Sequence, residues 1–241
     1  MKSGKLNDRD RLILNHIARY RFSFNEVLGA LFFDGGDPQK VLNRLRESDY
    51  IVPRKLFSGN RSAYQLQSKG AAAVGAGRRS ADALGSESLP VYAATFAFCL
   101  LCGRPRIRLG GNEMAELFDG NPPSGRHHCL ERSARAKRIY HVYVPGEGVA
   151  IKDIIEATRE HITATHSIPG LATWLDCRVY SHAVLVDRQD RADELKAAMH
   201  RATDKKGRLL CDAAPIRIER VPGMGEMEEA LHGFAKKTAG D

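Results

Sequence analysis

The chain has 241 residues, with 37 Lys+Arg against 29 Asp+Glu, a net charge of +8 and 43% hydrophobic residues. That composition excludes wholesale disorder and a collagen-like repeat, and it suits one large domain or two small ones. The longest apolar run, Val91 to Cys102, is too short to span a bilayer, and the first residues have no apolar leader stretch, so a cytoplasmic protein with no membrane partner is expected.

The charge is unevenly placed. Residues 1 to 79 hold 15 Lys+Arg and 7 Asp+Glu, while residues 80 to 241 hold 22 of each. A concentrated basic excess attracts a polyanion, whereas a diffuse one mostly aids solubility. Ala76 to Ser88 is small, polar and rich in Gly and Ser, and reads as a linker or a surface excursion. The expected organisation is a DNA-binding domain over 1–79, a linker over 80–90 and an α/β domain over 91–241.

In chain order, Asn7 is placed to cap a helix whose first turn carries Asp8 and Asp10, with Leu12, Ile13, Ile17 and Tyr20 at helical spacing. Ser23-Phe24-Asn25-Glu26 reads as a capping box for a second helix with Val27, Leu28, Leu31 and Phe32 on one face. Gly35-Gly36 breaks it, and Asp37-Pro38 starts a third helix. There Val41, Leu42 and Leu45 share one face, while Gln39, Lys40, Asn43 and Arg46 point the other way, with Arg44 on the flank. Such an outward face has the donors and acceptors that read base edges in a major groove. Two β-prone runs follow, Tyr50 to Phe57 and Arg61 to Leu66, joined by a Ser58-Gly59-Asn60 turn, and Ser68 to Val74 starts a closing helix. Three helices and a basic hairpin form the order of a winged helix-turn-helix, with Arg44, Arg54, Lys55, Asn60 and Arg61 expected at the phosphate backbone.

Asn7 to Leu14, Ala18 to Phe22, Leu31-Phe32-Phe33, Val41 to Leu45, and Tyr64-Gln65-Leu66 with Ser68-Lys69-Gly70 carry a resemblance. Over residues 7 to 75 the chain resembles the N-terminal half of the replication-relaxation family, winged-helix proteins of plasmids and other mobile elements. The resemblance implies binding of double-stranded DNA in replication, maintenance or transfer of such an element.

Beyond the linker, Val91 to Cys102 reads as a helix and Asn112 as the cap of a short one. Strands at 138–144, 181–186 and 215–221 then alternate with helices at 151–163, 191–202 and 226–236. This is the pattern of a small α/β domain, so the overall class is α/β, or α+β with the winged helix included. Ile168 to Asp176 adds a short helix with Trp174 as a core anchor.

That domain carries few marks of chemistry. The five cysteines, odd in number, read as reduced thiols. Cys99 and Cys102 have knuckle spacing, but the second half, His127-His128-Cys129, is irregular for zinc. A metal-dependent nuclease would use acidic strand residues such as Asp187 and Glu219, but Glu219 lacks a lysine two residues on. His161, His166 and His182 have no nucleophile partner by spacing and read as hydrogen-bonded structural residues. There is no phosphate-binding Gly-rich loop and no nucleophile elbow. No cofactor, metal or catalytic residue is therefore expected. The expectation is a sequence-specific DNA-binding homodimer, with the α/β domain serving dimerisation, a protein partner or a ligand. The alternatives are a winged-helix-targeted nuclease and a winged helix that binds protein.

Overall fold

The computed structural model describes residues 6–57, 61–123, 125, 127–132 and 137–238. Among them are eleven α-helices, a two-stranded sheet and a five-stranded sheet, a mixed α and β architecture. No helix among the described residues is long and apolar enough to cross a membrane. The chain divides into two units, residues 1–93 with 224–241, and residues 94–223.

The first unit opens with α1 (Asp8–Tyr20). Asn7 Oδ1 accepts the Asp10 N–H at 2.8 Å and Asp10 Oδ2 accepts the Asn7 N–H at 3.0 Å, so both free donors are satisfied reciprocally. Ile13, Leu14, Ile17 and Tyr20 are buried. Leu12, expected on that face, points outward and is 55% exposed, because Leu14 takes the inward position. Helix α2 (Asn25–Phe32) starts from Phe24 with no side-chain cap. The expected capping role of Ser23 fails because its backbone is already paired with Tyr64 as a β-bridge, N–H to carbonyl in both directions. Its hydroxyl goes to His16 Nε2 at 3.0 Å instead. Leu31, expected on the buried face of α2, is also exposed.

A tight turn with positive φ at Asp34 and Gly35 leads to α3 (Gln39–Glu47). The turn lies so close to α2 that a Cβ on Gly29 would sit 2.8 Å from the Gly36 carbonyl oxygen, which is why residue 29 has no side chain. Asp37 accepts the Gln39 N–H at 2.9 Å, and Leu42 and Leu45 fill the core. Strands β1 (Ile51–Arg54) and β2 (Ala63–Leu66) pair antiparallel, and α4 (Ser68–Ala73) closes the group. The segment expected as a linker makes contacts with the first unit. It carries a 3₁₀ turn at Arg78–Ser80, Ala81 packs on the core, and Arg21 donates to the Asp82 carbonyl before α5 (Ser88–Leu100) begins.

In the second unit β3 (Arg106–Arg108), β4 (His128–Arg132) and β5 (Lys137–Tyr143) form an antiparallel meander. β6 (Tyr180–Val186) and β7 (Ile216–Arg220) then add in parallel, giving the order β3-β4-β5-β6-β7. The helices between are α6 (Gly111–Leu117), α7 (Ile151–His166), α8 (Leu171–Asp176), α9 (Gln189–Met199) and α10 (Leu210–Ala213). Parallel neighbours require crossovers, and α7 with α8, then α9 with α10, supply them. Helix α6 is capped two residues earlier than expected: Glu113 accepts the Gly110 N–H at 2.7 Å, and Asn112 lies inside the first turn. Trp174 is only partly buried, packed against Phe118 at 5.1 Å between ring centroids.

The last helix, α11 (Met227–Thr238), packs on α2 and belongs to the first unit, where the sequence pattern assigned it to the α/β domain. Its acidic start changes the charge account. The first unit holds 17 Lys+Arg against 13 Asp+Glu, half the excess expected for residues 1–79.

Candidate functional site

Helix α3 presents Lys40, Asn43 and Arg46 along one edge, three residues apart, as the helical repeat requires. Lys40 and Arg46 are exposed and make no side-chain hydrogen bond or ion pair among the described residues. Asn43 and Gln39 are tied into a chain. Asn25 donates to Gln39 Oε1 and Gln39 Nε2 donates to Asn43 Oδ1, both at 2.9 Å, which fixes the side chains of the helix start.

The other expected contacts divide into two sets. Arg54 and Lys55, at the end of β1, are exposed and without an ionic partner among the described residues. Asn60 lies outside the described residues. Arg44 and Arg61, by contrast, are engaged inside the unit. Arg44 pairs with Asp10, whose side chain is 1% exposed, and Arg61 pairs with Glu26 on α2 and Glu228 on α11. These two guanidiniums join elements of the fold.

The second unit assembles a constellation that spacing alone did not reveal. His141 on β5 and His182 on β6 are directly paired in the parallel register, and their Nδ1 atoms are 3.0 Å apart. His161, on the crossover helix α7, stacks on His141 with ring centroids 3.6 Å apart. One nitrogen from each of the three rings lies within 4.8 Å of the others. His182 is buried, and His141 and His161 are partly buried. A fourth ring, His128 on β4, and His161 both approach the Tyr180 hydroxyl, at 3.2 and 3.1 Å.

Burial keeps all four imidazoles neutral. It alone lowers His161 to about 4; with neighbouring histidines adding to it, it lowers His128 to about 3 and holds His141 and His182 well below the usual imidazole value. Burial likewise holds the Tyr180 phenol protonated.

No known protein family, curated protein or solved structure matches the chain. The resemblance to the replication-relaxation family therefore rests on the quoted N-terminal motifs alone.

The other residues weighed for chemistry are placed otherwise. Cys99 and Cys129 lie Sγ to Sγ at 3.3 Å, both buried and neither in a disulfide. Adjacent residues of a strand point to opposite faces, so His128 turns to Tyr180 while Cys129 turns to Cys99, and the two cannot share an ion. Burial pushes the Cys102 thiol up to about 11, with Glu219 adding to it. Both Glu219 oxygens receive guanidinium N–H groups, from Arg106 at 3.1 and 3.2 Å and from Arg217. The carboxylate that a nuclease would aim at a metal is thus committed to a buried arginine.

Proposed function

We propose that the chain is a double-stranded DNA-binding protein that reads its site with a winged helix-turn-helix in the first unit. Helix α3 enters the major groove, and the β1–β2 hairpin is the wing. The observation that carries the reading is the set of exposed, uncommitted cations Lys40, Arg46, Arg54 and Lys55 on the recognition helix and hairpin. Asn43, held by Gln39, supplies an amide of fixed direction for a base edge. Lys40 and Arg46 flank it and approach bases or the adjoining phosphates. Arg44 and Arg61 act at one remove, by holding α3 and the hairpin in place.

The resemblance over residues 7 to 75 supports a role in replication, maintenance or transfer of a mobile element. One recognition helix covers few base pairs, so the protein acts as a homodimer on a palindromic site. The second unit supplies the dimer contact or a partner surface. The test is fluorescence anisotropy of a labelled random-sequence duplex with the full chain across a salt series. Binding with a steep salt slope is expected, because each neutralised phosphate releases counterions. Binding unchanged in a Lys40→Ala, Arg46→Ala, Arg54→Ala, Lys55→Ala variant would refute the reading.

A further inference from the structure

We propose that His141, His161 and His182 form a binding site for one divalent transition-metal ion of the zinc class. The inference is independent of DNA binding and concerns only the second unit.

The proton inventory carries it. Thr158 Oγ1 donates its hydrogen to the Ile154 carbonyl at 2.8 Å. Towards His182 Nε2, 3.3 Å away, that oxygen can therefore only accept. His182 carries its proton on Nε2, and the lone pair on Nδ1 faces His141 Nδ1 at 3.0 Å. In the metal-free chain His141 Nδ1–H fills that gap. A metal ion fills it equally well if His141 moves its proton to Nε2, with no change in the charge of either ring. A ligating histidine ordinarily hands its second N–H to an oxygen that fixes tautomer and ring direction. Thr158 does this for His182, and the Tyr180 hydroxyl, 3.1 Å from His161 Nε2, holds the third ring.

The distances suit an ion. Bonds of about 2.0–2.1 Å from zinc to nitrogen in a tetrahedron place the donor atoms about 3.3 Å apart. The His141–His182 pair stands at 3.0 Å, and the whole set fits within 4.8 Å. The His161 ring stacks on His141 at an interplanar angle of 11°, so ligation by both requires the His161 ring to tilt out of that stack. Gly125 passes over the site so closely that a Cβ would lie 2.3 Å from His141 Nε2, and its φ of +114° is one that only glycine adopts without strain. His141 and His161 are partly exposed, so an ion reaches them from solvent. Three imidazoles select a borderline ion such as Zn²⁺ over Mg²⁺ or Ca²⁺, which prefer oxygen.

The test uses the full chain, stripped with chelator and dialysed. Titration calorimetry with ZnCl₂ and metal analysis are expected to give one ion per chain. Co²⁺ substitution is expected to give visible bands of a tetrahedral nitrogen site without thiolate charge-transfer absorption. His161→Ala, at a partly exposed helix position, should weaken binding by about 100-fold, and Thr158→Val by about 10-fold. A Cys99→Ser, Cys102→Ser variant should bind as the wild type does. Zn²⁺ should raise the melting temperature of the wild type and not of His161→Ala, which also reports that the variant folds. Absence of a bound ion, equal affinity in His161→Ala and wild type, or binding lost in the cysteine variant would each overturn the proposal.

Discussion

Arg44 on α3 reaches across to Asp10 on α1, nitrogen to oxygen at 2.5 Å, and Asp10 is 1% exposed at its side chain. Asp10 also accepts the Asn7 N–H, so one carboxylate both caps α1 and holds the helix proposed to enter the groove. Arg44→Ala leaves that carboxylate buried with only the backbone donor. A loss of about 1–3 kcal/mol in unfolding free energy is expected, the range for a buried polar group deprived of its partner. Urea unfolding measures it. Because the two groups act as a pair, the loss should be smaller in an Asp10→Asn background than in wild type. Equal losses in both backgrounds would mean that Arg44 stabilises by something other than Asp10.

The cations that point outward should behave in the opposite way. Lys40→Ala, Arg46→Ala, Arg54→Ala and Lys55→Ala remove exposed charges without ionic partners, so each should change stability by less than about 0.5 kcal/mol. Each that touches a phosphate should reduce the slope of log affinity against log salt by about one. Measuring both quantities on the same four variants separates binding residues from structural ones. A variant that loses stability without losing salt slope does not belong to the interface. The full chain is needed, since a fragment ending at Arg79 lacks α11, which packs on α2.

How much of this was legible follows from the length and period of each element. Helices α1 and α7 carry long apolar periodicities, and β6 is an apolar run, so all three stood out in the sequence. Strands β3 and β4 did not. Arg106-Ile107-Arg108 is three residues long and turns a charge inward, and His128 to Arg132 is short and mostly polar. The membership of α11 was hidden because a long-range packing partner leaves no local mark. The three histidines lie about twenty residues apart on a strand, a helix and a strand. What unites them is the parallel register that sets His141 beside His182, and register is not written in either strand alone. Arg44 and Arg61 read as free cations because the sequence does not show that Asp10, Glu26 and Glu228 face them.

Arg106 makes the strongest structural prediction in the second unit. Its side chain is fully buried, lies over the Phe98 ring at 3.7 Å, and donates to Glu131, to both oxygens of Glu219 and to the Phe98 carbonyl. Burial opposes its charge, but the bonds to Glu219 and Glu131 outweigh that and raise its pKa. Arg106→Ala would leave two carboxylates without their shared partner, and a loss of about 3–5 kcal/mol is expected. Arg106→Lys should recover only part, because an ammonium cannot present the forked donor set to Glu219. Thermal and urea unfolding of both variants check this, and a lysine variant as stable as wild type would show that charge alone, not the fork, holds the network.

The buried histidines predict acid sensitivity with a definite window. Burial, with the charge of Arg19 adding to it, lowers His16 to about 3. Burial lowers His128 to about 3 and His161 to about 4, and holds His141 and His182 well below the usual imidazole value. In the unfolded chain these side chains titrate near 6.5. Above that value neither state binds protons and stability is flat. As pH falls through 6.5 the unfolded chain takes up protons first, so stability declines until the folded values are reached. One pH unit below 6.5, each histidine that stays neutral in the fold costs about 1.4 kcal/mol. Paired carboxylates, such as Glu131 held low by Arg106 against the opposing effect of burial, lose their contribution only at lower pH, below about 4.5. Urea unfolding at about pH 7.5, 6.5 and 5.5 should therefore give equal stability at the first two to within about 1–2 kcal/mol and a loss of several kcal/mol at the third. His16→Gln should remove one histidine's share of that slope from the first unit. A stability that stays level down to about pH 5 would mean that the imidazoles take up protons in the folded chain, and that the cluster is wetter than its burial implies.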